Sequence, residues 1–205
     1  MKLFLASEAK HPESIKMLSE FVGGFEGKSI AYIPTAANGD GIYSWKTGGG
    51  WQIVNNLRAN VTLVQLEDYR SSEVISQLEG KDIIWIAGGF CGYLMYWMRR
   101  TELDIHIREI LEQGTVYVGS SAGSMIASPG LEMAEWYLTD QEHGASILPG
   151  LGLVDFDIFP HYEESQYDDI KSLYRGKKLY LLKNGEEVTV DGKEIRVFGV
   201  ERIIT

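Results

Sequence analysis

Gly119-Ser120-Ser121-Ala122-Gly123 stands between the apolar run Thr115-Val116-Tyr117-Val118 and a second apolar stretch that begins Met125-Ile126-Ala127. Strand, G-x-S-x-G turn and helix in that order make a nucleophile elbow, which lifts the central serine clear of the sheet. So sharp a turn leaves no room for side chains at its flanks, which accounts for glycine at 119 and 123. The free N–H groups and positive dipole end of the following helix would face an oxyanion forming at Ser121. A serine hydroxyl is a poor nucleophile until a base takes its proton, so Ser121 requires a histidine. His161 is the candidate, because it follows Asp157-Ile158-Phe159-Pro160 at the carboxyl end of an expected strand. In an open α/β sheet, sites gather at those strand ends.

Acyl transfer also needs N–H donors for the oxyanion. One is expected from Ala122, the residue after the nucleophile, and another from the turn after a neighbouring strand. Ala87-Gly88-Gly89-Phe90 closes the run Ile83-Ile84-Trp85-Ile86, which makes Gly88 and Gly89 the candidates. The stretch has no G-x-G-x-x-G spacing, so a nucleotide fingerprint is disfavoured. His106 lies among Ile105, Ile107 and Ile110 of a helical pattern, and His11 opens a helix. His143 falls in the polar loop 139–144, where it can line the cleft without moving a proton. No histidine pair has metal-binding spacing, and Cys91 is the single cysteine. A cysteine zinc site and an internal disulfide are thereby excluded, and neither metal nor cofactor is expected.

The elements that must position these residues alternate short apolar runs with helical patterns, which predicts a parallel sheet with helices on both faces. Strands are expected at Lys2–Ala6, Ser29–Pro34, Asn60–Gln65, Asp82–Ala87, Thr115–Gly119 and Leu153–Phe159. Helices are expected at Pro12–Phe25, Gly49–Leu57, Ser72–Leu78, Tyr93–Met98 and Glu102–Glu112. Ser71 or Ser72 is expected to cap the third of these and Thr101 the last. Lys178–Leu182, Glu187–Val190 and Glu194–Phe198 alternate between the hairpin dipeptides Asn184-Gly185 and Asp191-Gly192. The fold class is therefore α/β: a doubly wound, mostly parallel sheet with a small C-terminal antiparallel extension, in one domain spanning 1–205.

The 205 residues suffice to bury a proper core, and 44% of them are hydrophobic. A formal charge of −10, from 29 acidic and 19 basic residues, argues against nucleic-acid binding, which needs a basic face. No apolar run approaches a membrane span and no signal segment precedes the first strand, so a cytoplasmic location, as monomer or homodimer, is the expectation.

Gly88-Gly89, Gly119-Ser-Ser-Ala-Gly-Ser and Phe159-Pro160-His161-Tyr162, in that order, resemble the aspartyl dipeptidase (peptidase E) family of serine peptidases, with cyanophycinase a more distant relative. The resemblance runs from the N-terminal strand to about Asn184. It implies a fold like the class I glutamine amidotransferases, and metal-free hydrolysis of short peptides through an acyl-enzyme. It carries the nucleophile onto Ser121, the base onto His161, and the oxyanion donors onto Gly89 and Ala122.

Two departures stand out. The family's oxyanion loop usually carries three glycines and an asparagine, whereas here it reads Ala-Gly-Gly-Phe-Cys. The family's third triad member is acidic, in a Leu-Pro-Glu-Gly-like segment, whereas here the segment reads Leu182-Lys183-Asn184-Gly185. Asn184 would orient His161 but cannot offset its positive charge; Asp157, Glu186 or Glu187, or a simple dyad, are the alternatives. Arg175 is where the family tends to place a basic residue for an acidic P1 side chain. The expected function is hydrolysis of small peptides, above all dipeptides, with Asp a candidate P1 residue. A small-molecule amidase or esterase, or a weakly catalytic ligand-binding relative, is the alternative.

Overall fold

The computed structural model describes residues 1–41, 43–136 and 142–205. Along the chain run β1 (Lys2–Ala6), α1 (Pro12–Val22), β2 (Ser29–Ile33), α2 (Gly50–Asn55), β3 (Asn60–Leu63), α3 (Ile75–Leu78), β4 (Ile83–Ile86), α4 (Cys91–Arg100) and α5 (Leu103–Glu112). They are followed by β5 (Val116–Ser120), α6 (Ala122–Met125), α7 (Glu132–Glu135), β6 (Asp157–Phe159), α8 (Tyr167–Leu173), β7 (Leu179–Leu181), β8 (Glu187–Asp191), β9 (Glu194–Phe198) and β10 (Ile203–Ile204).

The central sheet has seven strands in the order β3-β2-β4-β5-β1-β8-β9. Its first five are parallel, and β8 and β9 continue it antiparallel beside β1. Strands β1, β2, β4 and β5 are covered on both faces, which is why they read as apolar runs, whereas the edge strand β3 alternates polar and apolar residues and buries none of them fully. Leu3, Leu5, Ile84, Ile86 and Tyr117 point into one core with α4 and α5. Phe4, Ala6, Trp85 and Val118 point into the other with α1 and α2.

Local signals explain most boundaries. Pro12 opens α1, where the Nδ1 of His11 accepts the N–H of Glu13, and Gly23 at φ +74° ends it. Thr101 does not cap α5. It ends α4 instead, its hydroxyl bonded to the carbonyls of Trp97 and Met98, while Glu102 begins α5 with φ +57° and no side-chain cap. Neither Ser71 nor Ser72 caps its helix; the Ser71 hydroxyl donates to Glu102, and the Glu73 carboxylate takes the N–H of Arg70 instead.

The C-terminal third departs most from expectation. The strand expected at Leu153–Phe159 shortens to β6, which leaves the central sheet and pairs in parallel with β7. With β10, which is antiparallel to β7, these strands form a separate three-stranded sheet. The expected antiparallel extension is therefore the β8–β9 hairpin alone, turning at Gly192 with φ +63°. Asn184-Gly185 closes no hairpin between paired neighbours. It carries the chain from the small sheet to the central one.

Candidate active site

The elbow forms where β5 ends. Ser121 sits at φ +49° and ψ −110°, a conformation that costs a side-chain-bearing residue about 1–3 kcal/mol and persists only where its surroundings enforce it. Here the Ser121 N–H donates to the Ala6 carbonyl at 3.1 Å. The Ser124 hydroxyl donates to that same carbonyl at 2.7 Å, and the Tyr117 hydroxyl donates to the Gly123 carbonyl at 2.6 Å. Both flanking glycines are demanded by contact rather than by dihedral angle. A Cβ at 119 would lie 2.6 Å from the Gly123 carbonyl oxygen, and one at 123 would lie 2.4 Å from that of Ile86. The helix behind Ser121 is a single turn, so the dipole expected from the sequence reduces to the individual N–H groups of α6.

The pairing of β6 with β7 brings the other residues to this point. The Leu182 N–H donates to the Phe159 carbonyl and the Tyr162 N–H donates to the Leu182 carbonyl, which draws 161 and 184 together. The Nε2 of His161 lies 3.1 Å from the Ser121 Oγ, and its Nδ1 lies 2.5 Å from the Asn184 Oδ1. The acidic alternatives to Asn184 are engaged elsewhere. Asp157 accepts the Tyr174 hydroxyl, Glu186 is paired with Arg202 at 2.7 Å, and Glu187 accepts the Ser14 hydroxyl on the α1 side of the sheet.

Ser7 is a residue that the sequence reading missed. Fully buried just past β1, its Oγ accepts the backbone N–H of His161 at 2.7 Å and donates to the Asn184 Oδ1 at 3.1 Å. The available signal was its place at the carboxyl end of a parallel strand.

Gly88 runs directly against Ser121, since a Cβ there would lie 3.0 Å from the Ser121 Cβ. Gly89, at φ +139°, packs on the Ala36 backbone so closely that a Cβ would lie 2.2 Å from its carbonyl oxygen. Among the described residues, the N–H groups of Gly88, Gly89 and Ala122 meet no protein acceptor. All three residues border the elbow. A cleft of about 610 Å³, a volume usual for small-molecule sites, opens above Gly88, Gly89 and Ser121.

Trp45, Trp85 and Gly48 line this cleft, and Cys91 forms part of its floor. Burial pushes the Cys91 thiol well up, with the Glu142 carboxylate adding to the effect, so it is not the thiolate a nucleophile requires. Arg175 and His143 are exposed and do not line the cleft; Arg175 donates to the carbonyl of Tyr174. Part of the loop expected around His143, 139–141, lies outside the described residues. The described residues contain no group of three potential metal ligands, and no helix long and apolar enough to cross a membrane.

The family model "Peptidase family S51" matches residues 3–198. An uncharacterized peptidase of Listeria monocytogenes is 28% identical over 199 residues, covering 94% of this chain and 96% of its own length. A Nostoc protein named peptidase E is 28% identical over 195 residues, covering 88% of this chain and 76% of its own. Among solved structures, a candidate peptidase E protein from Listeria monocytogenes superposes with a TM-score of 0.82 at 27% identity, over 97% of this chain and 98% of that one. A peptidase from an acI-B1 Actinobacterium, at 19% identity and a TM-score of 0.73, shares the fold over 100% of this chain and 93% of its own. With the family model reaching from β1 to β9, the chain belongs to peptidase family S51 and is a peptidase.

Proposed function

We propose that the protein is a serine peptidase that hydrolyses small peptides, above all dipeptides, through an acyl-enzyme on Ser121. The observation that carries this reading is the hydrogen-bonded chain from the Ser121 Oγ through the His161 ring to the Asn184 Oδ1, set beside the N–H groups of Gly88, Gly89 and Ala122.

With Asn184 accepting from Nδ1–H, the lone pair of Nε2 faces the serine hydroxyl and takes its proton as the oxygen attacks the scissile carbonyl. Negative charge then gathers on the carbonyl oxygen, where the N–H of Ala122 and that of Gly88 or Gly89 donate to it. The imidazolium returns its proton to the leaving amine, and the bond to that amine breaks. A water activated by the same Nε2 then releases the acyl group. The cleft suits a short substrate, and the ordinary role of a carboxylate in offsetting the imidazolium charge is missing from Asn184. A slow enzyme follows.

The test is treatment of the purified protein with a fluorophosphonate, with the modified residue located by mass spectrometry. Labelling at Ser121, abolished in Ser121→Ala and reduced at least a thousandfold in His161→Ala, is expected. A wild-type protein that resists the probe overturns the acyl-enzyme. Panels of dipeptides, esters and amides then separate a peptidase from a small-molecule hydrolase.

A further inference from the structure

We infer that Ser7 is a positioning residue that selects the oxygen end of the Asn184 side chain, and through it the reactive tautomer of His161. The inference rests on the proposed Ser121 mechanism for its catalytic meaning, but the hydrogen-bond geometry stands apart from it. A carboxylate presents two equivalent oxygens, so it accepts from Nδ1–H whichever way it is turned. An amide has two unlike ends. Turned the wrong way, its NH₂ donates to Nδ1, the ring proton moves to Nε2, and the base toward the serine is lost. In serine proteases an amide that holds the imidazole in the wrong tautomer lowers kcat by roughly 10⁴. A third member that is an amide therefore needs a neighbour able to tell oxygen from nitrogen.

Ser7 is placed to do this. Its hydroxyl has a single proton. The backbone N–H of His161 can only donate, so at 2.7 Å it claims a lone pair of the Ser7 Oγ. The one proton is left for the atom of Asn184 that lies 3.1 Å away, and only an oxygen can accept it. Reversing the amide would strand that proton in a residue with no solvent exposure, because among the described residues Ser7 donates nowhere else. A buried donor without an acceptor is costly, so the oxygen stays turned toward both Ser7 and the Nδ1 of His161. The same hydroxyl pins the His161 backbone at φ +53°, which aims the ring at Ser121.

The experiment is a cycle of Ser7→Ala, Asn184→Asp and the double variant, read two ways. The first readout is the rate of fluorophosphonate reaction at Ser121. Ser7→Ala is expected to slow it by about 10–30-fold in the wild-type background. With Asp at 184, whose two oxygens are equivalent, the same change is expected to cost less than about threefold. An equal loss in both backgrounds overturns the inference, because a merely structural support for the His161 loop would act alike in each. The second readout is the ¹⁵N spectrum of the His161 ring, which reports the tautomer without catalysis. Nδ1–H in the wild type giving way to Nε2–H in Ser7→Ala supports the selection; an unchanged tautomer overturns it. A wild-type protein that shows Nδ1–H yet resists the probe would sink the acyl-enzyme and leave the tautomer selection standing. Should Ser7→Ala fail to fold, Ser7→Cys, whose thiol is a weak donor, takes its place in both readouts.

Discussion

Ser121 and His161, the two residues that exchange the proton in the proposed reaction, both hold side chains at positive φ, 49° and 53°. Each is kept there by bonds that converge on the end of β1: Ser121 donates to the Ala6 carbonyl and His161 to the Ser7 hydroxyl. Little slack remains for Ser121. A methyl group added at Gly88 would press on the Ser121 Cβ from 3.0 Å and on the Ser120 carbonyl from 3.3 Å. Displacement by a fraction of an ångström is costly in rate and cheap in stability, so Gly88→Ala is expected to slow phosphonylation at least about 100-fold. Its melting temperature should fall by only a few degrees, and loss of folding together with labelling would refute this. The elbow was legible in the sequence because its five residues are contiguous and its glycines answer to local crowding. Ser7 was not, since it meets its partners 154 and 177 positions away and nothing in an isolated serine distinguishes it.

Among the secondary-structure elements, β1, β2, β4 and β5 were readable because burial on both faces forces continuous apolar runs, while the edge strand β3 showed itself by the alternation of Val61 and Leu63 with polar residues. The assignment of β6 and β7 to a second sheet was not. Three-residue apolar segments carry no record of their pairing partner, which is set by tertiary contacts rather than by propensity. Strand β8 holds another feature that the sequence conceals. Glu187 stands opposite Ala6 and turns toward α1, fully buried, with one oxygen bonded to Ser14 and the other without a partner among the described residues. Burial pushes its pKa up to about 7, the Ser14 hydrogen bond notwithstanding. Folding therefore takes up a proton between about pH 4.5 and pH 7, and stability falls across that window as pH rises. Glu187→Gln keeps the bond from Ser14 and removes the ionisation. Its melting temperature is expected to exceed the wild type's by several degrees at pH 8 and to vary less between pH 5 and pH 8. Parallel curves for the two proteins would show that Glu187 does not govern this dependence.

Taken whole, the molecule is acidic, with a formal charge of −10, and its cleft shares that character. Glu8, Asp40 and Glu142 line it, against the single described cation Lys10, which is already held by Glu8 at 3.3 Å and by the Gly48 carbonyl. Arg175, the residue that resemblance offered for an acidic side chain, lies elsewhere on the surface. Dipeptides with a neutral or basic P1 residue are accordingly expected to react at least as fast as Asp-X dipeptides, in kcat/KM across a panel with a common leaving residue. A tenfold preference for Asp-X would contradict this reading. The sheet order has a consequence for synthesis as well. Strand β1 lies between β5 and β8, and the proposed relay closes only when residue 184 has reached residue 7. A ribosome that starts from the N-terminus delivers the serine long before the amide that completes its base. A chain still being made thus carries the proposed nucleophile but not the finished relay, so the proposed activity waits until the chain has been made and folded as far as residue 184.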